Sequence, residues 1–581
     1  MASRHFHCQA ANAHDLTFVV NTLKACSFVA VMALLTAGCA QSQSPIRFTE
    51  TAHEAGLADP GLNGAGVAFG DYDNDGDVDI YVSNADTATL RLGIHNRLWQ
   101  NDGQGHFVDV SESRGVDNSG GLGRGVSWGD YDNDGDNDLL VANMRSSALA
   151  DDSVPTTLYQ NQLTETGNAD FIDVTRAAGL MRKGNADDAQ QGGLSNTSGG
   201  IAWVDYDADG YLDILWRSTD YDVDQALFHN NGDGTFTDVT AESGVGILGR
   251  VRAANGQGSS GWFDMDNDGH VDLLTPNEGD ANVLFRNLGD GTFTDITRSR
   301  RPPSGLAFLN PGNSNGACIG DIDNDGDMDI YLPNADQANR LIRNNWVETG
   351  EVTFTDITMV SGAGDMGGAR GCTMADFDND GLIDIYVSNG GPSSSLFNDV
   401  VGGLPVFVQF YIAWTPGRNT LLRNNGDATF TDVTEGSGAE GFGIGTGVAS
   451  GDVNGDGFPD IVATNRTYYR SNERISEQQQ NWLFLNRGND NHWIRIRLIG
   501  TRSNRNAYNA RVRVVAGDLE QYRELFSATG YNSADDPTLI FGLGPHDQVD
   551  LIEVTWPGGS VQTLRDVATG QTLTITESRE P

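Results

Sequence analysis

Short apolar runs alternate with turns rich in Gly, Asp and Asn along most of the chain, leaving few amphipathic windows of helical length. Four elements recur in a fixed order. A Gly-punctuated strand such as GVAFG leads into an acidic nine-residue turn, and a second apolar strand follows, as in DIYVSN, DLLVAN or DIVATN. A third reads LWQN, LYQN, LFHN, LFRN, LIRN, LLRN or LFLN, and a fourth resembles TFTDVT. The acidic turn begins at Asp71, Asp130, Asp205, Asp264, Asp321, Asp376 and Asp452, with starts 55 to 76 residues apart. Four strands per repeat is the pattern of a propeller blade. The first copy of the fourth element, RFTETAHEAGL from Arg47, precedes the first acidic turn, whereas the seventh repeat lacks its own. The expected fold is all-β, a seven-bladed propeller over residues 46–490 closed by the N-terminal strand, followed by a small β domain over 491–578.

The acidic turns carry the candidate chemistry. Carboxylates ~4 Å apart repel by ~4 kcal/mol at an effective dielectric of ~20, a cost that a bound cation removes. Oxygen donors at positions 1, 3 and 5, Gly at 6, a main-chain carbonyl at 7 and a carboxylate at 9 suit Ca²⁺ better than Mg²⁺, which demands stricter octahedral geometry. At positions 1, 3, 5, 7 and 9 the first two turns supply Asp71, Asp73, Asp75, Asp77 and Asp79, then Asp130, Asp132, Asp134, Asp136 and Asp138. The third and fourth supply Asp205, Asp207, Asp209, Tyr211 and Asp213, then Asp264, Asp266, Asp268, His270 and Asp272. In the fifth and sixth stand Asp321, Asp323, Asp325, Asp327 and Asp329, then Asp376, Asp378, Asp380, Leu382 and Asp384. The seventh departs from the pattern with Asp452, Asn454, Asp456, Phe458 and Asp460. An EF-hand would place Glu at position 12, where the first turn has Val82 and the last Ala463, so these are strand-to-strand turns. About seven Ca²⁺ ions are expected, taking the formal charge of the chain from −44 to −30.

That charge excludes nucleic acid as a partner, since phosphate binding needs clustered Lys and Arg. Residues 487–523 nevertheless hold eight Arg, expected as a solvated strand face or a surface docked on the acidic repeats, with an anion or acidic-glycan patch as the functional alternative. Near the N-terminus, Lys24 precedes the apolar run ACSFVAVMALLTAG and then Cys39, too short to span a bilayer comfortably. The run ends in LTAGC and resembles the signal of a bacterial lipoprotein. That resemblance implies a signal peptide over 1–38, a tether over 39–45, lipidation of Cys39, and a membrane-anchored protein at the outer membrane or cell surface. Cys318 and Cys372 could form a disulfide in such an oxidising compartment; the expectation is two buried thiols acting as small hydrophobes.

The repeats resemble the calcium-binding FG-GAP or VCBS repeats of integrin alpha propellers. The string NRNAYNARVRV…SATGYNSADDPTLIFGLGPHDQVDLIEVTWPGGSVQTL resembles the ASPIC/UnbV domain. Together they make the chain similar to a bacterial member of the cartilage acidic protein family. No HExxH or phosphate-cradling loop is present. The expected function is therefore a non-catalytic, calcium-stabilised surface module that binds a protein or polysaccharide, the alternative being a carbohydrate-active enzyme that uses the propeller face. Three stretches exceed what a repeat needs, around 181–200, 391–419 and 465–480. The middle one offers Phe407, Phe410, Tyr411 and Trp414 as candidate ligand contacts.

Overall fold

The computed structural model describes residues 46–58, 64–84, 95–119, 121–143, 156–180, 198–218, 225–246, 258–278, 280–297, 302–309, 313–392, 398–401, 404–407, 414–466, 468–469, 476–477 and 480–579. Secondary structure is almost entirely β, with helices of a single turn such as Ser111–Arg114 and Thr240–Ser243. Each repeat forms an antiparallel sheet in chain order. In the first, Gly64–Gly70, Asp79–Asn84, Arg97–Asn101 and Phe107–Asp109 lie side by side. The second strand, Asp79–Asn84, is buried along its whole length, whereas the fourth buries Phe107 alone. Burial on both faces explains why second strands read as continuous apolar runs instead of alternating.

The core lies between successive sheets. Val67, Phe69 and Ile80 of the first repeat pack with Ala449, Val453 and Val462 of the seventh, and Ala202 and Val204 of the third pack with Trp262 of the fourth. The first strand Gly64–Gly70 lies against Gly123–Gly129 on one side and Gly445–Gly451 on the other. The seventh sheet takes its fourth strand from the start of the chain. Phe48–Glu50 pairs antiparallel with Trp482–Asn486, in the register Phe48 to Asn486 and Glu50 to Phe484. The sixth sheet is widened, because its second strand Asp384–Pro392 also pairs with Trp414–Arg418, part of the insertion around 391–419.

Cys318 and Cys372, expected as free thiols, are joined in a disulfide. They sit on the adjacent first strands of the fifth and sixth repeats, which bring their Cα atoms to 6.1 Å, within disulfide reach.

The C-terminal strands form two sheets. His492–Ile499 lies between Leu539–Gly544 and Thr572–Thr576, while Arg511–Ala516 lies between Leu519–Glu524 and Gln548–Thr555, the latter edged by Val561–Ala568. Ile494, Ile496, Val512, Val514, Ile552 and Val554 fill the space between them. From this domain the segment 526–536 reaches the first strands of six repeats. Ser527 accepts from Ser127 and donates to the carbonyl of Trp203, and Gly530 donates to Ala317. Ala534 exchanges main-chain hydrogen bonds with Val67 and Phe69, and the Asp535 carboxylate accepts from Thr373 and from the amide of Ser450. A Cβ on Gly66 or Gly316 would overlap the carbonyls of Asn532 and Gly530, which accounts for Gly at those positions.

Candidate metal centres

The seven acidic turns share one backbone conformation, set by two left-handed residues. Position 6 is Gly in every turn, with φ between 85° and 106°. Position 4 is also left-handed: Asn74, Asn133, Asn267, Asn324 and Asn379 stand there with φ of 52° to 59°, joined by Ala208 and Gly455. Asn tolerates that region better than most residues. The amide of the position-6 Gly donates to the position-1 carboxylate in all seven turns, as from Gly76 to Asp71 and Gly457 to Asp452. The position-7 amide donates to the position-5 carboxylate in all seven, Tyr211, His270, Leu382 and Phe458 included.

Position 9 has a role that the spacing alone did not reveal. One oxygen of Asp79 accepts from the amide of Tyr72 at position 2 and the other from the amide of Asn101, the last residue of the third strand. Asp138, Asp213, Asp272, Asp329, Asp384 and Asp460 do the same with Asn161, Asn230, Asn287, Asn344, Asn424 and Asn486. Each of these Asn side chains then donates to the position-2 carbonyl of the preceding repeat at 2.8–2.9 Å. The series runs from Asn486 to Phe377 back to Asn161 to Tyr72, and Asn101 donates to Val453 of the seventh repeat. These Asn recur visibly in the sequence as the final letter of LWQN to LFLN.

The position-3 carboxylate is divided between two environments. Its outer oxygen is held by the third strand: Gln100 donates to Asp73 at 2.6 Å, Gln160 to Asp132 at 2.8 Å and Arg423 to Asp378 at 2.7 Å. Its inner oxygen is buried with no hydrogen-bond donor among the described residues, as for Oδ1 of Asp73, Asp132, Asp266, Asp323 and Asp378. The same holds for Oδ1 of Asp71 and Asp205 at position 1. Oxygens of Asp71, Asp73 and Asp79 lie within 4.8 Å of one another, as do those of Asp130, Asp132 and Asp138, and of Asp205, Asp207 and Asp209. Burial above all, together with neighbouring carboxylates, pushes Asp79 up to about 9, Asp130 to about 8 and Asp321 to about 7. Convergent buried oxygens with no donor of their own are what a hard cation would satisfy. The seventh turn is poorer in such oxygens, because Asn454 replaces the carboxylate at position 3 and donates to Asp456.

The Arg-rich C-terminal stretch docks on these turns. Arg497 pairs with Asp71 at 2.9 Å and Arg495 with Asp452 at 3.1 Å, while Asn504 donates to Asp205. Arg511 reaches the carbonyl of Gly326, and Asn506 accepts from the amide of Asp130. Docking on the acidic repeats therefore describes Arg495, Arg497 and Arg511, whereas Arg513 pairs with Glu520 and Glu553 inside the C-terminal domain. Of the candidate ligand contacts, Phe410 and Tyr411 lie outside the described residues. Phe407 ends the strand Leu404–Phe407 and Trp414 begins Trp414–Arg418, with side chains outside the described set. Cys39 and the leader also lie outside it.

The family model for FG-GAP-like repeats matches residues 83–141, 205–275, 264–332, 321–387 and 407–463, and the model named ASPIC and UnbV matches 500–581. Cartilage acidic protein 1 of Homo sapiens is 26% identical over 537 residues, covering 89% of this chain and 72% of that protein. Cartilage acidic protein 1 of Mus musculus is 26% identical over 528 residues, with 89% and 74% covered. Among solved structures, BBS1N from its complex with ARL6DN aligns at 7% identity and a TM-score of 0.41 over 76% of this chain and 97% of that one, too loosely to argue from.

Proposed function

Because the chain belongs to the FG-GAP-repeat family and carries a C-terminal ASPIC and UnbV domain, we propose that it is a non-catalytic extracellular binding or scaffold module built on a closed seven-bladed propeller that calcium holds rigid. The observation that carries the calcium reading is the set of inward oxygens of Asp73, Asp132, Asp266, Asp323 and Asp378 at position 3, with those of Asp71 and Asp205 at position 1, buried without donors among the described residues. Ca²⁺ would be held by the carboxylates at positions 1, 3, 5 and 9 with the carbonyl at 7, the position-9 Asp also fixing the turn to the third strand. Support for ring closure comes from the pairing of Phe48–Glu50 with Trp482–Asn486 and from the Asn101 hydrogen bond to Val453. With the acidic face covered by the C-terminal domain, the ligand, a protein or polysaccharide, would be met by surfaces away from the metal turns. The insertion around 391–419 is the first of these to test. The lipobox before Cys39 supports export and lipid anchoring at the outer membrane or cell surface.

Calorimetric melting with and without chelator tests the reading. Extracellular calcium modules bind at ~10⁻⁴ to 10⁻³ M, and ten-fold saturation contributes ~1.4 kcal/mol per site. Stripping the metal is expected to lower Tm markedly, with Ca²⁺ restoring it and equimolar Mg²⁺ not. An unchanged melt, with no Ca²⁺ found by metal analysis of the purified protein, refutes it.

A further inference from the structure

The residue immediately before the stapling Asn occupies one half-buried place in every repeat, yet its chemistry changes along the chain and is the apolar Leu485 in the seventh. In the first two repeats it is Gln100 and Gln160, whose amides donate to the outer oxygens of Asp73 and Asp132. In the third it is His229, 3.5 Å from Asp207 and 3.2 Å from Asp213. In the fourth, fifth and sixth it is an arginine. Arg286 lies 2.5 Å from Asp266, Arg343 lies 3.5 Å from Asp323, and Arg423 spans Asp378 and Asp380. The inner oxygens of Asp73, Asp132, Asp266, Asp323 and Asp378 are buried without donors among the described residues. Gln100, Gln160 and Arg423 hold the outer oxygen of their carboxylate by a hydrogen bond, whereas Arg286 and Arg343 meet Asp266 and Asp323 as ion pairs, so the partners at this one place differ in charge.

We propose that this third-strand residue sets calcium affinity turn by turn, making the first two turns tight sites and the fourth, fifth and sixth weak ones. The inference rests on the calcium reading above. A glutamine amide fixes the ligand carboxylate and leaves its full charge available to the metal. A guanidinium at the same place neutralises that carboxylate and sets a positive charge beside the position a divalent ion would take. Affinity in oxygen-ligand calcium loops follows ligand charge count, and partners behind the ligands shift metal affinity by ~10–100-fold. The seven turns are then a graded set, and part of the ring is responsive to calcium in a range where the rest is saturated.

The test is isothermal calorimetry of Ca²⁺ into the metal-stripped full-length protein at fixed ionic strength, with far-UV circular dichroism confirming that each variant is folded. The wild type is expected to show at least two classes of site, separated by about ten-fold or more. Arg286→Gln, Arg343→Gln and Arg423→Gln together should add three tight sites, and Gln100→Arg with Gln160→Arg should remove two. Replacing the same three arginines by Lys should leave the weak class weak; a gain of tight sites there overturns the charge argument. A single uniform class in the wild type, or tight-site counts that ignore both exchanges, overturns the proposal while calcium binding stands. Absence of any Ca²⁺ binding overturns both.

Discussion

Replacing Asn101 by Ala isolates the seam between the first and seventh repeats. The Asn101 side chain donates to the carbonyls of Val78 at 2.9 Å and Val453 at 2.8 Å, and accepts from the amides of Gly103 and Gly105 at 3.2 Å. Asn230, at an internal seam, donates to Tyr131 and Leu212 and accepts from Gly232. Both residues are buried, so water does not readily replace what the methyl group removes. At about 1 kcal/mol per hydrogen bond, and with main-chain groups left without partners, each substitution is expected to cost ~3–4 kcal/mol. That is large for a single side chain and comes from one named mechanism. Guanidinium unfolding in millimolar Ca²⁺, followed by tryptophan fluorescence, should move the midpoint by a similar amount for both variants and leave one concerted transition. In an open array Asn101 would sit at a terminus and fray cheaply. A cost for Asn101→Ala below ~1 kcal/mol beside an undiminished cost for Asn230→Ala would refute the closed ring.

Two further outcomes follow from the same geometry. Without metal, the raised carboxylates of Asp79, Asp130 and Asp321 hold protons in the folded state that the unfolded chain releases near its ordinary value of 3.8. Folding then binds protons, so the stability of resin-stripped protein should fall as pH rises from 5 to 8, with Ca²⁺ flattening or reversing the slope in urea midpoints; a rise without metal would contradict the burial argument. Replacing Cys318 and Cys372 together by Ala removes a cross-link spanning 54 residues and should cost ~4 kcal/mol, with an unmoved denaturation midpoint counting against its structural weight.

Much of this architecture can be read from the chain because its information is local. A nine-residue turn with Asp at alternate positions, an apolar run after it and a turn residue every few positions specify a strand order without reference to anything distant. Even the borrowed strand is legible, since a repeat count with one half at each end has few economical solutions. The pairing of Cys318 with Cys372 is not legible, because it depends on how closely two neighbouring sheets approach. The segment 526–536 carries no periodicity that announces its destination, and Ser527 meets Ser127 across 400 positions of sequence. The stapling Asn is visible in all seven copies, but its acceptor is a main-chain carbonyl in another repeat, and carbonyls leave no letter in the sequence. The residue before it was hidden by its own variation, for Gln, His and Arg share a place without sharing a chemistry.

The pairing of Phe48 with Asn486 also imposes an order of events during synthesis. The two strands are separated by 438 residues, so at ~5–20 residues per second the first waits roughly 20–90 s for its partner to leave the ribosome. Over that interval the earlier sheets can form one by one, each on its predecessor, while the opening strand has nowhere to bind and the newest sheet presents a bare edge. The strand made first is placed only once the seventh repeat has been made. A cell producing this protein must therefore keep some fifty kilodaltons of half-assembled sheet from pairing with its neighbours until the two ends meet.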